Sequence, residues 1–224
     1  MESLLYIILA LIYLVFLIIG LRIAFRLGYW TNSNFLLFII AALIYDNLII
    51  ACGKFIGEGA LLESLNLLRY WLHGIVTPTI IIYSWDVIIR TGAFHAKRKV
   101  LETLAYLLTL GLIIFEITHV IGTNIKPKWD HGTLVYEPES MPTMPIMLII
   151  TTVILLIAGI IIWKKQGWKT LFIGVLLMGI VNIIIIWFKN PIVMNSSELV
   201  LMIALFMTKR FQDHLELKQD RAAV

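Results

Sequence analysis

Long apolar runs separated by short polar joints recur along the chain, at roughly 3–21, 35–54, 64–89, 99–121, 143–163, 169–189 and 191–209. At about 1.5 Å of rise per residue, each can cross the ~30 Å hydrocarbon core of a bilayer as a helix. The pattern predicts an all-α integral membrane protein with seven transmembrane helices. They occupy a transmembrane domain at 1–210, with an outer loop at about 122–142, and a cytoplasmic tail follows at 211–224. The outer connection "GTNIKPKWDHGTLVYEPESMPTMP" holds four prolines and no helical periodicity, so it reads as a lid or a short hairpin. The tail "KRFQDHLELKQDRAAV" reads as a short, frayed extension of the last helix.

The polar positions inside these runs carry the second pattern. In "LLESLNLLRYWLHGIVTPTIIIYSWD", a step of about 100° per residue gathers Glu63, Asn66, Arg69, Tyr70, His73, Thr77 and Ser84 on one face. Leu68, Trp71, Leu72, Ile75 and Ile82 lie largely elsewhere. Hydrocarbon satisfies none of the polar groups, so the stripe must face protein, water or a ligand.

Composition agrees with the membrane class. The 224 residues are 60% hydrophobic and 14% charged, more apolar surface than one soluble core of this size can hide. A single cysteine, Cys52, excludes an intrachain disulfide framework. The net charge of +4 is explained by topology and does not point to nucleic acid. Thirteen basic residues (among them Arg22, Arg26, Arg90, Lys97, Lys164, Lys165 and Arg210) follow spans one, three, five and seven. Only Lys54, Lys126, Lys128 and Lys189 fall on the opposite side, and Arg69 lies within a span. The excess of basic residues on the cytoplasmic face predicts an N terminus outside and a C terminus in the cytoplasm, as in a multi-pass protein of the cell membrane.

With that orientation, Asp46, Asn47, Arg69, His73, Glu116, His119, Asn182 and Glu198 all fall in the outer half of the membrane. An ionised group exposed to lipid at that depth costs several kcal/mol, so such groups pair or line a cavity. Arg69 can neutralise one of Asp46, Glu116 and Glu198, which leaves carboxyls to be protonated or to bind a cation. The expectation is an outward-facing polar pocket. The plainer reading makes Asn47, Asn66, Thr77 and Asn182 interhelical hydrogen-bonding residues, and Asp46 with Arg69 a structural ion pair.

Three chemistries fit the pocket. In the first, His73, Asp46 and Glu116 perform acid–base work on a lipid-like or small anionic ligand, which Arg69, Asn66, Asn182 and Glu198 hold. In the second, the pocket relays protons or ions, or senses a ligand. In the third, His73 and the Glu-x-x-His pair Glu116 and His119 bind a divalent metal and hydrolyse an outer-leaflet substrate. The partners expected are membrane lipids and a hydrophobic or anionic small molecule, with the oligomeric state left open.

"RYWLHGIVTP", Arg69 to Pro78, resembles the third helix of microbial rhodopsins, in which an Arg-Tyr pair precedes a Thr-Pro at this spacing. The seven runs and the outside N terminus are similar too. The resemblance implies a rhodopsin-like bundle with a central pocket, Arg69 as the outer-half arginine, and Thr77 and Pro78 bordering the ligand. The counterion position falls on Leu72 and the cytoplasmic proton donor on Tyr83. The last run has no mid-membrane lysine, Lys209 lying at its cytoplasmic end, so no Schiff base and no covalent retinal are expected.

Overall fold

The computed structural model describes residues 2–28, 30–94, 98–130, 132–139, 146–188 and 191–222, and their side chains apart from those of 2, 182–188, 191–196 and 219–222. Lys97, Lys189, the start of the fifth predicted span at 143–145 and the end of the outer loop at 140–142 lie outside the described residues.

The chain is mostly helical. In order, it forms α1 (Glu2–Leu27), a 3-10 turn (Asn32–Asn34), α2 (Phe35–Ile56), α3 (Ala60–Val76), a 3-10 turn (Thr77–Thr79), α4 (Ile80–Ile89) and α5 (Arg98–Ile121). A hairpin of β1 (Ile125–Asp130) and β2 (Thr133–Pro138) follows, then α6 (Ile146–Gln166), α7 (Thr170–Phe188) and α8 (Pro191–Ala222). Among the described residues, five stretches are long and apolar enough to cross a membrane: Ser3–Leu27, Asn32–Ile56, Ala60–Ile89, Arg98–Ile121 and Ile146–Gln166. The apolar part described in α7, Thr170–Val181, is shorter. Lipid as the surrounding solvent accounts for the outward-facing apolar side chains of α1, such as Leu4, Leu11 and Val15, and of α5, such as Leu104, Leu107 and Ile114.

The run predicted as one span at 64–89 is two helices joined at Thr77–Thr79. Pro78 has no N–H to give and its ring crowds the preceding turn, which breaks the α-helical ladder. Thr79 Oγ1 donates to the carbonyl of Val76 at 2.6 Å, satisfying one group near the break. Beyond the break, α4 is the buried centre of the bundle, packed against α2, α5, α6 and α8. Ile80, Ile81, Tyr83, Val87 and Ile88 all belong to the main apolar core. Tyr83 is fully buried because its hydroxyl donates to the carbonyl of Leu205 at 2.7 Å, tying α4 to α8.

The outer connection, read from the sequence as a lid or a short hairpin, forms an antiparallel hairpin. Asp130 pairs with Thr133, and Gly132 takes a φ of 82°, a left-handed conformation that a tight hairpin turn requires and glycine tolerates. One strand is wet and the other dry. Trp129 of β1 is exposed, whereas Leu134, Val135 and Tyr136 of β2 are buried. Leu134 and Tyr136 pack on Leu62 of α3. A Cβ on Gly53 of α2 would overlap the Leu134 carbonyl, so this glycine lets the strand lie on the helix. The Tyr70 hydroxyl donates to the Tyr136 carbonyl at 2.9 Å, and the Gly59 N–H donates to the Tyr136 hydroxyl at 3.0 Å. On the wet side Lys128 pairs with Glu137 at 2.8 Å and Lys126 with Glu139. The hydrogen bond that Lys128 donates to Glu137 holds its ammonium above the usual lysine range, though pairs this exposed add little stability.

The opposite end of the bundle is closed by a buried ionic cluster. Arg90, just past α4, pairs with Asp86 at 2.9 Å and with Asp213 of α8 at 2.7 Å, and it donates to Ser33 Oγ at 3.0 Å. Asp86 also accepts the Ser33 N–H at 3.1 Å. Lys209 donates to Asp213 at 2.5 Å, and Gln212 reaches the Val87 carbonyl at 2.8 Å and the Gln166 side chain at 3.1 Å. The helical extension read from the tail is therefore packed rather than frayed over its first turn, where Gln212 and Asp213 are each 1% exposed. These bonds gather the chain just before α2, the end of α4, the end of α6 and the second half of α8. The hairpin and the α2–α3 junction lie together at the other end.

Small residues allow close helix approach in the remaining layer. A Cβ on Gly159 of α6 would come within 2.9 Å of the Phe172 backbone in α7, and one on Gly174 would overlap Ala204 of α8. Without a hydrophobic force between helices in lipid, such close packing supplies much of the cohesion.

Candidate functional site

The polar stripe of α3 faces protein. Arg69 Nε donates to Asp46 Oδ1 of α2 at 2.7 Å, and Arg69 Nη1 donates to Asn66 Oδ1 at 2.7 Å. Asn66 is completely buried and its amide donates in turn to the Leu62 carbonyl at 2.8 Å, so it holds the guanidinium in place. The ring of Tyr70 lies 5.9 Å from the guanidinium carbon. The side chain of Arg69 is 13% exposed and that of Asp46 29% exposed, a half-dry setting in which a charge needs its partner.

Two further helices bring carboxyls towards this pair. Glu198 of α8 lies within electrostatic reach of both Asp46 and Arg69. Tyr13 of α1 is 1% exposed and lies within reach of Glu198 and Asp46, and its hydroxyl has no hydrogen-bond partner among the described residues. On the other flank, His73 lies within reach of Asp46, Glu116 of α5 and Arg69. Its Nδ1 is 3.3 Å from Thr77 Oγ1. Gly74 makes this flank possible: a Cβ there would sit 3.2 Å from the Cβ of Glu116, so α5 approaches α3 where glycine leaves room.

Asp46, Asn66, Arg69, His73, Glu116 and Glu198 therefore belong to one neighbourhood. The side chain of Asn182 lies outside the described residues. His119 does not join. It is exposed, its Nδ1 lies 2.8 Å from the Phe115 carbonyl, and its ring packs 4.4 Å from that of Phe115. The trio of His73, Glu116 and His119 read as metal ligands is not assembled, and no three His, Cys, Asp or Glu among the described residues come together to hold an ion. The helix hydrogen bond turns the imidazole along its own helix, an option open to any i, i+4 pair of donor and carbonyl. Asn47 bonds the Leu43 carbonyl of its own helix at 2.8 Å, an intrahelical bond and not the interhelical one of the plainer reading.

Two participants escape sequence reasoning. Tyr13 sits in a long apolar run and carries no charge, and its one signal is the seven-residue spacing from Tyr6, which puts both on one face of α1. Gly74 signals nothing until α5 is seen against it.

Chemically, the neighbourhood sets one arginine, already paired with one carboxylate, beside two more carboxyls, a histidine and a buried phenol. Among the described residues Glu116 and Glu198 make no ion pair, so each can meet a charge brought by a ligand. No protein-family model and no curated protein sequence matches the chain.

Proposed function

We propose that the chain is a multi-pass cell-membrane protein of seven spans with its N terminus outside, and that its outward-facing polar pocket binds, and by His73 and carboxyl chemistry modifies, a lipid-like or small anionic ligand. The observation that carries this reading is the meeting of Asp46, Arg69, His73, Glu116 and Glu198 from four helices inside an apolar bundle. A purely structural pair needs Asp46 and Arg69 alone; Glu116 and Glu198 add carboxyls with no ion pair among the described residues, and His73 beside them is exposed and open to a ligand. Two hydrogen bonds engage Nε and Nη1 of Arg69, and its remaining N–H groups are the donors for an anionic group. His73 takes or returns the proton, with Glu116 and Glu198 as the acids beside it. The hairpin, docked through Tyr70 and Tyr136, covers the outer edge of the same helix face.

The test is a native mass spectrum of protein purified in mild detergent. One ligand per chain is expected, with occupancy reduced about tenfold in His73→Ala and in Glu198→Gln while the melting temperature holds. A ligand-free wild-type protein together with a destabilised His73→Ala would reduce these residues to packing.

A second reading, proton handling in a rhodopsin-like bundle without retinal, is favoured by one observation: the Tyr13 hydroxyl, with no hydrogen-bond partner among the described residues, lies within electrostatic reach of the carboxyls of Asp46 and Glu198. Infrared carboxyl bands are expected to change between about pH 5 and 8, with one band removed by Glu198→Gln. A flat response across that range would end this reading.

A further inference from the structure

A cavity of about 610 Å³ lies at the end of the bundle opposite the hairpin, between α1 and α8. Its α1 wall is Ile19, Arg22, Ile23 and Arg26, residues at i, i+3, i+4 and i+7 and therefore one helical face. Its α8 wall repeats that spacing with Met207, Arg210, Phe211 and His214. Each wall begins with an apolar residue, Ile19 or Met207, and then interleaves arginines with apolar side chains. Trp168, from the α6–α7 joint, is fixed at the cavity by stacking on Phe211 at 4.4 Å and by donating to Thr208 Oγ1 at 3.1 Å.

The charges here are unspent. Arg22, Arg26 and Arg210 are exposed and make no ion pair or hydrogen bond among the described residues. The carboxylate that lines the cavity, Asp213, is engaged by Arg90 and Lys209. Three guanidinium groups around one slot exceed what a membrane protein needs to set its orientation, which the lysines of α6 and of the α6–α7 joint serve from outside the slot.

We propose that this cleft is a binding site for an anionic phospholipid of the leaflet on the basic side, with its phosphate held by Arg22, Arg26 and Arg210 and an acyl chain lying along Ile19, Ile23 and Met207. Charge complementarity, together with apolar side chains interleaved among the arginines, selects that occupant. A free phosphate would use the guanidinium groups and leave the apolar side chains of the slot uncovered, whereas a zwitterionic lipid would leave most of the positive charge uncompensated. Guanidinium suits the role because its planar fork bonds two phosphate oxygens at once, and basic pockets between transmembrane helices are known anionic-headgroup sites.

The experiment places the full chain in nanodiscs of phosphatidylcholine containing a minor fraction of phosphatidylglycerol or cardiolipin, releases it, and counts retained lipid by native mass spectrometry. One anionic lipid per chain is expected to survive delipidation. The triple variant Arg22→Gln, Arg26→Gln, Arg210→Gln should lower its retention about a hundredfold, with charge contributions of the usual size per basic residue. Lys164→Gln with Lys165→Gln, two exposed charges at the end of α6 outside the cleft, should leave retention unchanged. Met207→Trp, which fills space among the apolar side chains and keeps every charge, should also expel the lipid. Equal loss in the lysine variant would show diffuse attraction to the leaflet and overturn the site. Retention of phosphatidylcholine in equal measure, or displacement of the bound lipid by millimolar inorganic phosphate with Met207→Trp having no effect, would overturn the lipid as its occupant. None of these outcomes depends on the outer pocket, whose variants lie at the other end of the bundle.

Discussion

Asp213→Ala is expected to be the most destabilising single substitution in the chain, at about 3–5 kcal/mol, the usual cost of breaking a buried ion pair. Asp213 is 1% exposed and Lys209, one turn before it, is 2% exposed. Arg90 would survive the loss, because Asp86 and Glu216 still face it at 2.9 and 3.6 Å. Lys209 would not: its ion pair is with Asp213, so the variant strands an ammonium among buried side chains. For a chain of this length that cost corresponds to a melting temperature lower by about 10 °C. Lys209→Met in the same background should restore much of the loss, since an unbranched apolar side chain of similar length removes the stranded charge. Thermal unfolding in a fixed detergent reads both variants. A melting temperature within a degree of wild type for Asp213→Ala would mean that the end of the bundle opposite the hairpin is wet and that the cluster does not hold α8 to α4.

Arg69→Ala is expected to cost about 3 kcal/mol for the same physical reason, because it leaves Asp46 without its ion-pair partner and within electrostatic reach of Glu198. This substitution also separates the two roles open to the pair. In the double variant Asp46→Leu with Arg69→Met, both charges are gone and the space stays filled, so stability should return towards wild type. If the pair serves a ligand, ligand occupancy stays lost in that restored protein. If the pair is structural, occupancy returns together with stability. An Arg69→Ala protein as stable as wild type would remove the ion pair from any account of how α2 and α3 hold together.

Much of the site was legible from hydropathy alone, for a simple reason. Asp46, Arg69 and Glu198 are conspicuous in apolar runs, and a charge in such a run must find a partner. Depth along the helix then follows from rise per residue, so residues on different runs can be matched without knowing the packing. The same logic misled at His119. Its spacing from Glu116 suits a shared ion, but spacing gives neither the rotation of α5 nor the choice of the imidazole, which bonds its own helix instead. Tyr13 illustrates the opposite error, since a phenol in an apolar run draws no attention until the carboxyls beside it are placed.

The sequence by itself determined which segments are helices and which ends carry the basic residues. Those properties depend on single segments and their solvent: an apolar run surrounded by lipid has to close its own backbone hydrogen bonds. The tertiary structure alone decided which face each helix turns inward. That choice put Lys209 and Asp213 in the interior, set α4 at the centre of the bundle, laid β2 on Gly53, and opened a basic cleft between α1 and α8. Rotation about a helix axis costs almost nothing in a uniformly apolar run. It is settled by where small residues let neighbours approach and where polar side chains find partners across helices, and both exist only once the helices have met.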